Sequence, residues 1–457
     1  MDQQDGLKRK LDDTAMADVR SGSTAIRRTD MNIGREPSIV ALRANAACFC
    51  ITLDREELAQ KLDAETGSDG FGIRLTASHP YLFANSPVFL ATETMTAMKT
   101  VVAAVETAAA LPPFRAAVLE WAPAIAAADF GPVGALMGYD FHLTEAGPVL
   151  IEVNTNAGGA FLNAALASAQ RACCFETATA PYPDDAVQDF ELGIVAMFTS
   201  EWHRQRRVGK PAVIAIVDDE PHAQYLYPEF LLVKAVLERH GIRALVVDPK
   251  ALTGSAAGLS FDGLHVDLVY NRLVDFAFEE PDHAGLRSAY LQDLVVVTPN
   301  PHVHALYADK RNLSLLSDAE LLTRWGLPLD AVKVLEVAIP RTVLVSMENA
   351  DALWADRRNL FFKPARGYGS KAAYSGAKLT RSVWEHITAG DYIAQTFAPP
   401  SIRRIERDGE VLDLKADFRL YTYDGAVLLT AARLYRGQTT NMRTPGGGFA
   451  PVLEIAL

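Results

Sequence analysis

The stretch GYDFHLTEAGPVLIEVNTNAGGAFLN, residues 138–163, reads as two short strands around a tight turn. Residues 141–144 form one arm, Glu145-Ala146-Gly147-Pro148 the turn, and residues 149–153 the other arm. Gly and Pro are turn residues, and alternation with β-branched side chains marks the second arm. Asp140 opens the first arm, and Glu152 and Asn154 close the second. Two apart on an extended segment, Glu152 and Asn154 point to one face, and the hairpin returns Asp140 beside them. Two carboxylates and an amide oxygen converging in this way suit a hard cation, magnesium above all, with phosphates completing its shell. The plainer reading is a polar strand end on a solvated hairpin, and spacing alone leaves both open.

The 457 residues leave room for roughly two to four domains or lobes. With 49% hydrophobic and 22% charged residues the composition is that of an ordinary globular protein. A net charge of −12 argues against general nucleic-acid binding, which needs a basic face, but leaves room for a local basic pocket. No apolar run reaches the length of a membrane span, and the N-terminus lacks the apolar core of a signal peptide. A cytoplasmic protein is therefore expected. Cys48, Cys50, Cys173 and Cys174 do not have zinc-ligand spacing and suit a reducing interior.

Residues 1–35 are polar, with nearly balanced charge, and read as a disordered tail. Residues 36–205 form the lobe carrying the hairpin. Within it, residues 38–47 are a helix or strand followed by a strand at 48–53, residues 92–111 a buried helix, 114–127 another, and 160–175 an apolar helix. The small residues Asn156-Ala157-Gly158-Gly159 ahead of that last helix free backbone amides for an anion, unless they are an ordinary helix start. Residues 206–305 carry four apolar strands, at 213–217, 244–247, 266–272 and 294–300, alternating with helices, which predicts a Rossmann-like open parallel sheet. No GxGxxG follows the first strand, so a dinucleotide site is weakly supported.

Residues 306–457 hold the rest of the chemistry. Residues 308–322 read as a helix. Lys363 lies on a strand, and Gly367, Gly369 and Gly376 flank a loop holding Ser370 and Lys371. Strand, glycine loop and second strand with lysines at both ends suit a flexible cover over phosphates, and taken alone suit a plain hairpin equally well. This is not a Walker loop, because GxxxxGK[ST] is absent. Residues 415–437 form a long hairpin turning at Asp424-Gly425 and placing Asp417, Arg419 and Tyr421 on one face. Arg419, Arg433, Arg436 and Arg443 lie within one short span of an acidic protein. Beside a Gly-rich loop they point to an anion pocket rather than a solvated charged face.

Together these pieces resemble the ATP-grasp superfamily, whose members include glutathione synthetase, D-alanine–D-alanine ligase and biotin carboxylase. The resemblance rests on Asp140 with Glu152 and Asn154, on Lys363, and on the loop from Arg366 to Lys371. It covers residues 36–457. It implies an α/β (α+β) fold in which residues 206–305 are the domain preceding the ATP-grasp lobes. It further implies that Lys310 and Lys363 hold ATP, that Gln395, Thr396 and Phe397 meet adenine, and that Arg366, Gly367, Gly369, Ser370 and Lys371 close over phosphates. Asp140, Glu152 and Asn154 then bind magnesium, with manganese as an alternative. Usually the lysine strand comes first and the Glu-x-Asn hairpin last. The reversed order here is similar to circularly permuted members such as glutathionylspermidine synthetase-like ligases.

The implied activity is ATP-dependent ligation of a small-molecule carboxylate to an amine through an acylphosphate. Arg433 would stabilise the transferring phosphoryl group, with Arg419 and Arg443 as clamps on the substrate carboxylate. The Asn156–Gly159 turn would offer amides to the same carboxylate. The alternatives are a small-molecule kinase on the same scaffold, a non-enzymatic nucleotide-binding protein, and a Rossmann oxidoreductase. No nucleic acid or membrane is expected as a partner, and a homodimer is left open.

Overall fold

The computed structural model describes residues 37–171, 184–206, 208–367 and 372–455. The tail at 1–35, Cys173, Cys174 and the loop residues Gly369, Ser370 and Lys371 lie outside them.

A seven-stranded sheet organises the rest, and it draws strands from both halves of the chain. Its path runs Val88–Ala91, Gly448–Ile455, Ala426–Tyr435, Glu410–Tyr423, Met137–Thr144, Gly147–Asn154, with Ser401–Arg407 also paired to Glu410–Tyr423. The segments 36–205 and 306–457 thus share one sheet. Alternation along each strand gives the sheet two unlike faces. Tyr139, Phe141, Phe418, Leu420, Ala432, Leu434 and Val452 enter an apolar core with Met98, Val102 and Val105 of helix Thr92–Ala109 and Leu335 of helix Leu329–Ala338. The opposite face carries Asp140, Glu152, Asn154, Asp417, Arg419 and Arg433, as the strand pairing places them.

The expected parallel sheet is present. Its order is Val296–Thr298, Leu268–Asn271, Val213–Val217, Arg243–Val247, all parallel. Both faces are covered, Ile214 and Ile216 joining one core and Ala215 and Val217 another. Burial on two sides is why these strands read as continuous apolar runs. A smaller antiparallel sheet, Thr342–Leu344, Tyr392–Thr396, Leu360–Pro364, Tyr374–Ser375, carries Lys363 and Gln395. Phe362, Trp384 and Ile387 fill its core.

Several local expectations are corrected. Residues 48–53 form no strand beyond a single bridge from Leu53 to Gln170. The helix expected over 308–322 is two short ones, Asn312–Leu316 and Ala319–Arg324. Asp318 breaks the run by capping the second, its carboxylate accepting from the Leu321 amide at 2.8 Å. The helix expected over 114–127 spans Pro112–Trp121, and the one at 160–175 spans Ala160–Ser168. Gly147 and Pro148 belong to the returning strand, leaving Glu145-Ala146 as the turn. Among the described residues no single helix is long and apolar enough to cross a membrane.

Candidate active site

Two β-bulges set the geometry. Pairing in the 137–154 hairpin starts at Thr144 with Gly147 and slips by one residue at Asp140, leaving Ile151 unpaired. Without the slip Asp140 would oppose Ile151, and Glu152 would point into the apolar core. With it, Asp140 opposes Glu152, and Gly138 opposes Asn154. The second hairpin does the same. A shift between Tyr421 and Thr422 leaves Leu428 unpaired and brings Arg433 opposite Asp417 rather than onto the far face. Arg419 pairs with Asp140 across the strands joining the two hairpins.

The resulting cluster is dense. Arg419 donates from Nε to Asp140 Oδ1 at 2.5 Å and from Nη2 to Oδ2 at 2.7 Å. Arg433 Nη2 donates to the same Oδ2 at 2.9 Å, and its Nε to Asp417 Oδ1 at 2.7 Å. Thr440 Oγ1 donates to the other Asp417 oxygen at 2.5 Å. Burial alone would raise the pKa of Asp140, but Arg419 and Arg433 override it and hold the carboxyl at about 2. Asn154 Nδ2 lies between the two carboxylates, 3.1 Å from Asp140 Oδ2 and 3.3 Å from Glu152 Oε1. Burial would also raise Glu152, yet Lys310 and Lys363 bring it below the usual carboxylate range.

Lys363 faces this cluster from the smaller sheet. It is 6% exposed, and its ammonium donates to Gln395 Oε1 at 2.9 Å and to the Ile151 carbonyl at 3.0 Å. The unpaired bulge residue therefore supplies a backbone acceptor to the buried lysine. Burial, with help from Lys310, pushes its pKa down to about 8 against the pull of Glu152 and Asp140. Lys310 donates to the Gly367 carbonyl at 3.0 Å and stands 3.9 Å from Glu152 Oε2.

Between the two sheets lies a cleft of about 970 Å³, its open mouth included. Lys310, Lys363, Lys415 and Arg433 line it against Asp140, Glu152 and Asp417, and Arg419 adds a further cation behind Asp140. The cleft is net positive inside an acidic chain, which favours a polyanionic ligand. Gln395, Thr396 and Phe397 line it too, and Phe361 and Phe397 stack near-parallel with centroids 6.3 Å apart.

Other expected residues sit elsewhere. Arg419 is buried, and Asp140 takes its Nε and Nη2, so it orients the carboxylate rather than offering a clamp to a ligand. Arg443 is exposed and does not line the cleft. Arg366 lines a neighbouring cavity instead, donating to the Trp121 carbonyl at 2.6 Å. The amides at the start of helix Ala160–Ser168 already hold an anion: Gly159 and Phe161 donate to the buried Glu229 carboxylate at 2.6 and 3.2 Å. Asp417, Thr440 and Lys415 complete the cleft, yet sequence reading gave them no role. The sign available was the alternation that placed Asp417 on the Arg419 face.

Among the described residues no group of three or more His, Cys, Asp and Glu side chains is arranged for a metal. The set here is two carboxylates and an amide, and its chemistry fits a hard cation. The Asn154 amide nitrogen now occupies the electropositive place between them, and turning that amide would present Oδ1 instead.

Neither a family model nor a curated protein matches the sequence. Among solved structures, the chain is similar to a glutathione synthetase-like effector from Globodera pallida in apo form, at 12% identity and a TM-score of 0.53. That match covers 89% of this chain and 99% of the other. A putative gamma-glutamylcysteine synthetase from Methylobacillus flagellatus matches at 11% identity and a TM-score of 0.41, over 76% and 84% of the two chains. The likeness to the first is a likeness of fold.

The depressed pKa of Lys363 makes a pH dependence of anion binding measurable. The ammonium is charged below about 8 and lost above it. Affinity of the cleft for a polyphosphate anion is expected to fall as pH rises from 8 to 10, by at most about tenfold per unit. The unliganded fold should instead gain stability over that range, because the unfolded lysine holds its proton to higher pH. Polyphosphate titrations of wild type and Lys363→Gln check this; a pH profile shared by both proteins would remove Lys363 from the anion site.

Proposed function

We propose that this chain, whose fold is ATP-grasp-like, is an ATP- and magnesium-dependent ligase joining a carboxylate to an amine. The observation that carries this reading is the net-positive cleft with Lys363 on one wall and the Asp140–Glu152–Asn154 set on the other. Lys310 and Lys363 would hold the phosphates, and the Phe361–Phe397 stack beside Gln395 offers a flat slot for adenine. Asp140, Glu152 and Asn154 would hold magnesium, which offsets charge on the phosphates when bound. Asp140 is oriented for this by Arg419. Arg433, fixed by Asp140 and Asp417, presents positive charge where the transferring group would pass. The γ-phosphoryl group moves from ATP to a carboxylate oxygen, and ADP leaves. The amine nitrogen then attacks the acyl carbon, loses a proton and expels inorganic phosphate. No side-chain nucleophile is needed.

The chain order supports reading the fold as circularly permuted. The hairpin of residues 137–154 is written early, but it docks on strand Glu410–Tyr423, written late. Permutation is tolerable where old termini lie close and the new break falls at the surface.

The test is an ADP-release screen over amino acids, polyamines and small carboxylic acids. Ligation predicts ADP and an amide in equal amounts, released only with both partners present. A stable phosphoester as product would make the protein a kinase. Absence of any substrate-dependent ADP release would defeat the ligase reading.

A further inference from the structure

A second cavity, about 1080 Å³ with its mouth, adjoins the cleft and shares Asn154, Lys310 and Gly367 with it. It opens beyond the carboxyl ends of two strands of the parallel sheet. Asp275, Phe276 and Glu279 follow strand Leu268–Asn271, and Pro301 and His304 follow strand Val296–Thr298. Open α/β sheets bind ligands at such edges. Nothing in the ligase reading so far uses these residues.

The cavity has two chemistries. Lys310 and Arg366 make it cationic where it meets the cleft. Asp309 also lies there, bonded by Arg311 at 3.0 and 2.6 Å and standing 3.8 Å from Arg366 Nε. Asp275 and Glu279 make it acidic on the loop after Asn271. Asp275 Oδ2 accepts from the Glu280 amide at 2.9 Å and from His283 at 2.7 Å, while its Oδ1 has no partner among the described residues. Glu279 is exposed and likewise unpartnered there. Asn156 adds an independent sign. Its amide nitrogen is fixed by the carbonyls of Arg272 and Leu273 at 2.7 and 3.1 Å, and its Oδ1 is buried without a hydrogen-bond partner among the described residues. An orphaned acceptor on a residue lining the same cavity as these carboxylates calls for an N–H donor. The His304 ring, stacked on Phe276 at 3.5 Å and 8°, adds a flat surface to the same cavity.

We infer that the second cavity binds the carboxylate substrate of the proposed ligase as a zwitterion. The reacting carboxylate lies by Lys310 and Arg366, and a free ammonium lies by Asp275, Glu279 and Asn156. The inference rests on the ligase reading for the substrate's role, but binding itself is measurable without nucleotide. A fully anionic carboxylate would meet the exposed Glu279 and an Asp275 offset only through one oxygen by His283, and a simple amine would leave the cationic end unpaired.

Glycine oligomers of one to four residues are suitable probes, each compared with its N-acetyl and C-terminal amide forms by saturation-transfer NMR on the full chain. The best free oligomer is expected to bind about tenfold more tightly than either capped form. Glu279→Lys should weaken the free oligomer by about tenfold, bind the N-acetyl form no more weakly than wild type does, and leave binding of a non-hydrolysable ATP analogue unchanged. Glu279 is exposed and has no hydrogen bond or ion pair among the described residues, so the variant should fold. Equal binding of free and N-acetyl forms, an equal effect of Glu279→Lys on both, or no binding by any oligomer would overturn the inference. If the ATP analogue fails to bind wild type while the oligomer pattern holds, the ligase reading falls and the zwitterion site stands.

Discussion

Glu152→Gln is expected to leave a folded protein whose substrate-dependent ADP release falls by about 10²–10³-fold, the scale of losing one preorganised electrostatic contact to a transferring group. The exchange keeps the shape and a hydrogen-bond acceptor for Asn154, so the stability change should be small. Glu152 is the carboxylate of the set that no arginine engages; its nearest cation is Lys310 at 3.9 Å. It is therefore the oxygen pair most open to a cation. Steady-state ADP release against magnesium concentration measures the effect, and wild-type turnover in the variant would remove the metal role proposed for Glu152.

Asp140→Asn is expected to act first on the fold. It leaves the buried guanidiniums of Arg419 and Arg433 without their shared counter-ion, which costs roughly 3–5 kcal/mol for a buried pair broken from one side. Denaturant midpoints of Asp140→Asn and of Asp140→Asn with Arg419→Met would separate the causes: the double variant should recover part of the loss. A single variant as stable as wild type would show that this carboxylate does not hold the pair. The same logic fixes the acid limit. With its folded pKa at about 2, Asp140 contributes stability above the unfolded carboxyl range and loses it as pH falls through about 2.

The parallel sheet and the 137–154 hairpin were legible because each rests on local pattern. Val213 to Val217 is apolar throughout since both faces are covered, and the turn and alternation around Glu145 announced a hairpin. What could not be read were pairings between distant segments. Arg419 looked like a substrate clamp, because its partner Asp140 lies 279 residues away. The amides at Gly159 looked free, because Glu229 arrives from a helix 70 residues later. Nor does any residue type announce a bulge, so the set was expected on one face from a hairpin that, regularly paired, would have divided it. Asp318 carries the signal of a helix cap, but the flanking residues keep a helical rhythm across it and hide the break.

The two bulges turn the site into a matter of counting parity. Each hairpin contains one residue more on one arm than on the other, and that odd unit decides which side chains meet the ligand. Taking Ile151 or Leu428 into regular pairing would send Glu152 or Arg433 to the apolar side without any change of sequence. Deleting either residue would instead straighten its arm and leave those side chains on the cleft face. What the odd residue adds is the kink and its freed backbone, which at Ile151 is the carbonyl that holds Lys363. Side-chain substitutions at these two positions should therefore be tolerated better than any change that closes the bulge.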